Sequence, residues 1–567
     1  MKNRLRLVLW VCFSLWLGAH VSATASIKTP AEVAHFARYT QHEDLTRFLV
    51  RLDHLAEQLS VQIIGKTEET QEFPSRDLYG CILTEDGGDP LSSLNRKKPT
   101  VLLVASQHGN EQSAKEAVLQ VIRDLTLGDL NPLLENINVL VIPQANPYGN
   151  WFDTRRNEQD LDLNRDHVKM ESPGVKAIHK FFQNWMPEVT MDIHEKGDDY
   201  YRVSIGCVSN PNIHPTIQDF SRKTILRDVA RSLGKKNIPF HEYLVTQRMG
   251  IDSSAGVRYR PGEQGSEERM KRFSTTDLND GRNSLGIYET FSFIQEGASR
   301  HDLETLKQRT LWQVHGIVAF LESIARHGSE IVEMIRKFRK DLIAKARSYT
   351  DDDVVHLRMR YARDSEQPTL KIKTFERTET PILGILKRDK KAGDPVAREE
   401  IEAYPYPSEL KVVEQEVINW FPLVEPMLSV PRPLGYIVPS PHQATIDTLL
   451  DHGVKVDIFT EDTVVAVEAY RITHCVPAVY DYLPPQEIEV EKLHLENLVK
   501  KGDYFISCAQ EGAHLIPCLL EPQSQYGLIR YWKFNLVPEP GDVFPVYRYV
   551  SGEELPVLPY KNWKRMW

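Results

Sequence analysis

Apolar residues recur every three to four positions over 31–59, 113–125 and 174–185, the spacing that gives a helix one buried face. Short apolar runs lie at 61–64, 77–83, 100–106, 137–142 and 188–193, with the length and side chains of strands. From residue 100 to 193, strand and helix alternate at the lengths of crossover units. The pattern therefore predicts an α/β fold with a mixed, largely parallel sheet flanked by helices. A loop-rich stretch over 246–283 precedes another apolar run, 284–293, read as a further strand, and two helices fill 300–348. Beyond Asp351-Asp352-Asp353 the texture changes. Alternating strands are expected at 355–363 and 370–377, then strand, helix, strand over 434–470, then a tail rich in proline and aromatic residues. This divides the chain into a domain over 26–350 and a C-terminal mixed α/β or β-rich accessory domain over 351–567. No internal repeat is present.

The first 25 residues stand apart. Lys2, Arg4 and Arg6 precede an apolar stretch from Leu7 to Ala19 and the small residues up to Ala25. This is the layout of a cleaved secretory signal, with cleavage after Ala23 or Ala25. The apolar run is short for a span of about 20 residues, so the mature chain is expected to be secreted or periplasmic, with no stable membrane span. The formal charge of −10 becomes more negative once the basic signal is removed, which argues against a nucleic-acid partner. Five cysteines then remain, Cys81, Cys207, Cys475, Cys508 and Cys518. An odd number cannot all pair within the chain, and so large a core needs no such staple. A Cys508–Cys518 bridge is optional on this reading, and a zinc site of Cys508, His514 and Cys518 lacks a C-x-x-C pair.

Candidate chemistry begins where the run at 100–106 ends. His108 and Glu111 follow it as H-x-x-E, a spacing that lets an imidazole and a carboxylate meet one metal ion. The same spacing at His54/Glu57, His301/Glu304 and His327/Glu330 falls in or beside helical runs, where it describes neighbours on a solvated face. His108 instead sits at a strand-to-loop junction, and loops at the carboxyl ends of strands are where α/β sheets bind ligands. A catalytic zinc site uses three protein ligands and keeps one position open. His194, at the end of the run 188–193, supplies the third, and Asp192 on the same strand face is placed to orient it. Between these lie Asn146-Pro-Tyr-Gly149, Arg155-Arg156-Asn157 and Asp162-Leu163-Asn164-Arg165. They form a loop cluster suited to binding carboxylates and oxyanions through planar guanidinium forks.

Taken in order, His108-x-x-Glu111, Asn146-Pro-x-Gly149, Arg155, Asp162-Leu-Asn-Arg165, Asp192-x-His194 and Ile287-Tyr-Glu289-Thr resemble the zinc metallocarboxypeptidase family of carboxypeptidase A type, in its secreted bacterial form. The resemblance covers roughly residues 60–325. It implies one zinc ion on His108, Glu111 and His194. It also implies Asn164 and Arg165 gripping a peptide's free C-terminal carboxylate, Arg155 stabilising the oxyanion and Glu289 as general base. Arg155 rather than Arg156 takes the arginine role because it precedes Asn164 by nine residues. Glu296 is the rival base. The family's substrate-contacting tyrosine has no clear counterpart, since Phe273 stands near its place and Tyr259 lies far back. Asp277, Asp280 and Arg272 are candidates for setting side-chain preference. A related amidohydrolase acting on N-acyl amino acids or cell-wall peptides is the alternative, and a non-catalytic binding module is a third reading.

Overall fold

The computed structural model describes residues 27–88, 94–196, 202–248, 269–298, 305–375, 412–475, 488–537 and 539–561. The N-terminal signal, His301/Glu304 and Tyr259 lie outside the described residues. The first region is built on an eight-stranded sheet. Its strands are β1 (Leu59–Lys66), β2 (Asp77–Leu83), β3 (Thr100–Ala105), β4 (Asn138–Ile142), β5 (Val189–Lys196), β6 (Val203–Cys207), β7 (Phe240–Glu242) and, after the small hairpin β8 (Val245–Arg248) and β9 (Arg269–Arg272), β10 (Phe291–Ala298). The spatial order is β1-β2-β4-β3-β5-β10-β6-β7. The central four strands, β4-β3-β5-β10, run parallel; β1, β2 and β6 join antiparallel, and β7 pairs parallel with β6.

Every residue of β3 and β4 is buried, as expected for strands covered on both faces. Helices α1 (His42–Leu55), α2 (Gln112–Leu127), α3 (Pro173–Trp185), α4 (Leu226–Lys235), α5 (Leu306–Arg326) and α6 (Gly328–Lys345) flank the sheet. Helix α3 is started by Ser172, which accepts a hydrogen bond from the Val175 N–H, with Pro173 in the first turn.

One expected element is displaced. The apolar run 284–293 is not a single strand. Asp280 caps a short helix, Gly281–Gly286, by accepting from the Asn283 N–H, and β10 begins only at Phe291. The run is buried throughout, so its apolar pattern had no period to separate helix from strand. The displacement moves Glu289 out of the strand and puts Glu296 near its far end.

The C-terminal region is β-rich. A seven-stranded antiparallel sheet has the order Ile488–Val499, Thr463–Cys475, Tyr547–Tyr549, Gly435–Val438, Tyr504–Ser507, Asp457–Phe459 and Val557–Pro559. Val354–Ala362 and Leu423–Pro431 form a separate ribbon. Residues from both regions share one apolar core, including Phe338, Leu342, Leu357, Leu449 and Ile516. Cys81, Cys207, Cys475, Cys508 and Cys518 are all buried free thiols, so the optional bridge is not formed.

Candidate metal centre

Two loops are fastened together at the carboxyl end of the parallel strands. Asn146 accepts a hydrogen bond from the Gly149 N–H at 2.8 Å and donates to the backbone oxygens of Gln107, at 3.2 Å, and Arg155, at 3.3 Å. Gly109 packs so closely on Gly149 that a Cβ there would lie 1.9 Å from the Gly149 carbonyl carbon. These contacts explain the Asn-Pro-x-Gly motif: it sets the His108 turn against the Arg155 loop. Glu111 ends the same turn, as the residue preceding α2.

His108 Nδ1 lies 2.8 Å from Glu111 Oε1, and His194 Nδ1 lies 2.7 Å from Glu111 Oε2. The two Nδ1 atoms face each other at 3.1 Å. Their other ring nitrogens are held by carboxylates, His108 Nε2 by Asp162 at 3.1 Å and His194 Nε2 by Asp192 at 2.6 Å. A carboxylate behind each imidazole fixes the ring and turns the opposite nitrogen inward. Among the described residues, this is the group of side chains whose ligand atoms lie close enough to hold an ion. Tetrahedral zinc with ligands near 2.1 Å sets its ligand atoms about 3.4 Å apart, close to the spacing of the two Nδ1 atoms. The electrostatics agree. Burial disfavours the His194 imidazolium, yet Asp192 and Glu111 raise its pKa well above the ordinary value. Burial likewise opposes the Glu111 carboxylate, but His108 and His194 hold its pKa far below the usual range. The space between these side chains favours a positive charge, and the donor set fits zinc.

The neighbouring cavity, about 320 Å³, is lined by the three ligands and by Arg155, Asn164 and Arg165. Arg155 donates from Nε to Asp162 at 2.8 Å and remains partly exposed to the cavity. Asn164 accepts from the Gly281 N–H at 2.8 Å. Glu296 also lines the cavity, opposite His194 in the parallel β5–β10 pair. Its Oε2 is buried without a hydrogen-bond partner, and burial pushes its carboxyl pKa above the ordinary range.

Glu289 is elsewhere, and this corrects the sequence expectation. It lies in the turn before β10 with φ of 53°, accepting from the His214 N–H at 3.0 Å and contacting His514 Nε2 at 3.1 Å. Five strand positions separate Phe291 from Glu296, roughly 17 Å at about 3.3 Å per residue, so Glu289 stands at the opposite end of the sheet. Phe273 packs edge-on against Trp420, and the Arg272 guanidinium lies over the Tyr361 ring; neither lines the cavity. Asp277 and Asp280 do line it, as do Tyr243, Thr275 and Arg282. Neither Tyr243 nor Arg282 was expected from the sequence. Tyr243 carries no motif around it, and Arg282 stands among polar residues just before the apolar run 284–293, so neither carried a local signal. Asp162 belonged to a recognised motif, but only its contact with His108 reveals its positioning role.

The C-terminal region reaches this wall. Tyr361 Oη accepts from the Thr276 N–H at 3.0 Å, Tyr526 Oη lies 2.8 Å from Thr276 Oγ1, and Tyr531 Oη accepts from Asn279 Nδ2 at 3.4 Å. Three tyrosines thus brace the loop that supplies Thr275, Asp277 and Asp280.

A buried histidine chain runs behind the centre. Asp192 accepts from Gln107 at 2.8 Å, Gln107 meets His167 at 2.9 Å, and His167 meets His179 at 2.9 Å. His452, from the C-terminal region, packs edge-on against His179 with ring centroids 5.2 Å apart. Burial lowers the pKa of His167 and of His452 to about 4, and that of His179 well below its ordinary value. The unfolded chain binds these protons near pH 6.5, so the stability the neutral rings confer is full above that pH. It is lost as pH falls towards 4, on the order of 3 kcal/mol for each of His167 and His452. Denaturation midpoints measured from pH 7 to pH 4 should therefore fall steadily, with a shallower slope in His452→Gln. An unchanged slope in that variant refutes the assignment.

Fold and site together define a protein with a His–Glu–His metal centre at the carboxyl end of the parallel strands of an α/β sheet. Residues 46–203 match the zinc carboxypeptidase family model. A protein named carboxypeptidase 2 from Trichophyton rubrum is 24% identical over 533 residues, covering 90% of this chain and 86% of its own. Its namesake from Trichophyton tonsurans is 23% identical over 506 residues, covering 85% and 81%. Among solved structures, a metallo-carboxypeptidase from Pseudomonas aeruginosa overlays with a TM-score of 0.36 at 20% identity, over 51% of this chain and 69% of its own. Carboxypeptidase A from Helicoverpa armigera overlays with a TM-score of 0.37 at 15% identity, over 56% and 81%. Residues 46–203 thus resemble a zinc carboxypeptidase domain, and all three residues of the centre, a donor set that fits zinc, fall within that match. None of its described helices is long and apolar enough to cross a membrane.

Proposed function

We propose that this chain is a secreted zinc carboxypeptidase that hydrolyses the last peptide bond of peptides bearing a free C-terminal carboxylate. Secretion rests on the charged and apolar layout of residues 1–25. The observation that carries the activity is one cavity holding the His108–Glu111–His194 cluster, Arg155, Arg165 and the buried Glu296 carboxylate with its unpartnered Oε2. The relatives' name, carboxypeptidase 2, points the same way.

Zinc on His108, Glu111 and His194 supplies Lewis acidity to water and to the scissile carbonyl. Glu296 Oε2 takes the proton from the attacking water and passes it to the leaving amine. Its burial keeps its proton affinity closer to working pH than that of an exposed glutamate. Arg155, steered by Asp162, donates to the oxyanion as charge develops there. Asn164 and Arg165 hold the terminal carboxylate, Arg165 through its planar fork. In this reading residues 26–350 carry the chemistry and 351–567 form an accessory domain that braces one cavity wall.

The test compares a peptide with its C-terminal amide, using zinc-loaded protein and mass spectrometry of the products. The free acid should lose its last residue, and the amide should react at least about a hundredfold more slowly. Equal rates would remove the carboxylate grip. Cleavage confined to N-acyl amino acids or cell-wall peptides would select the amidohydrolase alternative.

A further inference from the structure

If Asn164 and Arg165 hold the terminal carboxylate, the last side chain of a substrate turns towards the rest of the cavity wall. That wall comprises Tyr243, Thr275, Asp277, Asp280, Arg282 and Ile294. Its apolar share is small, one aliphatic side chain and one phenol ring. Its charged groups are not equally engaged.

Asp280 is fully committed. Oδ1 accepts from the backbone and side-chain nitrogens of Asn283 at 2.8 and 3.2 Å, and Oδ2 accepts from Thr275 Oγ1 and, at 2.9 Å, from Arg282 Nη2. Asp277 accepts from the Asn279 N–H at 2.9 Å and lies close enough to Arg165 for their charges to interact. Asp280 therefore offers no ready seat to an incoming ammonium group, and the Asp277 charge already faces Arg165. Arg282 is different. It is 2% exposed, and beyond its Nη2 bonds to Asp280 and Thr275 its Nε and Nη1 have no partner. Buried guanidinium donors are otherwise paired, because leaving them unmade carries the full cost of removing them from water. A second cation stands nearby, since Lys196 Nζ and the Arg282 guanidinium lie 4.8 and 5.4 Å from the centre of the Tyr243 ring. Two donors of Arg282 thus remain unmatched on this wall, beside a second cation.

The geometry points to a subsite for a C-terminal residue whose side chain ends in a carboxylate or carboxamide, read by Arg282 on the Tyr243 side of the cavity. This rests on the carboxypeptidase reading. It disfavours large apolar residues, which would cover unpaired donors, and lysine or arginine, which would meet the like charges of Arg282 and Lys196 beside Tyr243.

Two measurements on the full zinc-loaded chain separate this proposal from the reading beneath it. The first is kcat/KM on matched blocked dipeptides ending in Glu, Gln, Phe and Lys. Glu and Gln should exceed Phe and Lys by about tenfold or more. In Arg282→Met that ratio should collapse, while Arg282→Lys, which keeps a charged donor, should retain part of it. Because each ratio is taken on one preparation, partial misfolding cancels. The second is calorimetric binding of N-acetyl-glutamate, N-acetyl-phenylalanine and N-acetyl-lysine, which needs no turnover. Tighter glutamate binding that is lost in Arg282→Met, with no peptide cleaved, supports the subsite and overturns the carboxypeptidase reading. Phe or Lys favoured in either measurement, or a ratio unchanged in Arg282→Met, overturns the subsite.

Discussion

Glu296→Gln should lower kcat by about a thousandfold while leaving zinc content unchanged, since positioned acid–base groups contribute on this scale. Glutamine keeps the shape of the side chain and cannot carry the proton, so KM should move little. The paired variant Glu289→Gln makes the result decisive. Glu289 meets the His214 N–H and His514 far from the cavity. Its replacement should cost roughly 1–3 kcal/mol of stability through a weakened buried hydrogen-bond pair, with kcat on the folded fraction close to that of the parent. Steady-state kinetics beside denaturant unfolding reads both effects. Full activity in Glu296→Gln, or a collapse confined to Glu289→Gln, would reverse the assignment of the base.

The second large effect is expected from stripping the metal. A chelator should abolish hydrolysis, and added zinc should restore it. The apo protein should also unfold earlier, because His108 Nδ1, His194 Nδ1 and Glu111 are gathered where positive charge is favoured. At a free zinc concentration a thousand times Kd, binding to the folded state alone contributes about 4 kcal/mol. In His194→Ala, zinc should no longer shift the unfolding midpoint. The metal effect should weaken at acid pH, where protons compete for the same ligand atoms. Activity that persists after exhaustive chelation, with metal content verified as absent, would end the metal-centred reading.

Much of the fold was legible along the chain because each signal was local. The run 100–106 and the helix after it are self-declaring, as is the turn that holds His108 and Glu111 between them. The motif around Asn146 carried its own explanation once Gly109 and Gly149 were seen in contact. The misplaced element is the instructive case. Residues 281–298 are buried almost without interruption, so hydrophobicity held no period to mark where helix Gly281–Gly286 ends and β10 begins. A strand drawn a few residues early moved the expected base from one end of the sheet to the other.

By itself the sequence determined the alternation of strand and helix, the resemblance to zinc carboxypeptidases and the identity of groups able to hold a metal ion, because those properties reside in residue types and short spacings. The tertiary structure alone decided which glutamate shares a cavity with His194, that Arg282 and Tyr243 wall the same space, and that tyrosines from beyond residue 350 brace it. These are long-range matters. They depend on strand register and on which buried donors are left without an acceptor, and neither is encoded by neighbours in the chain.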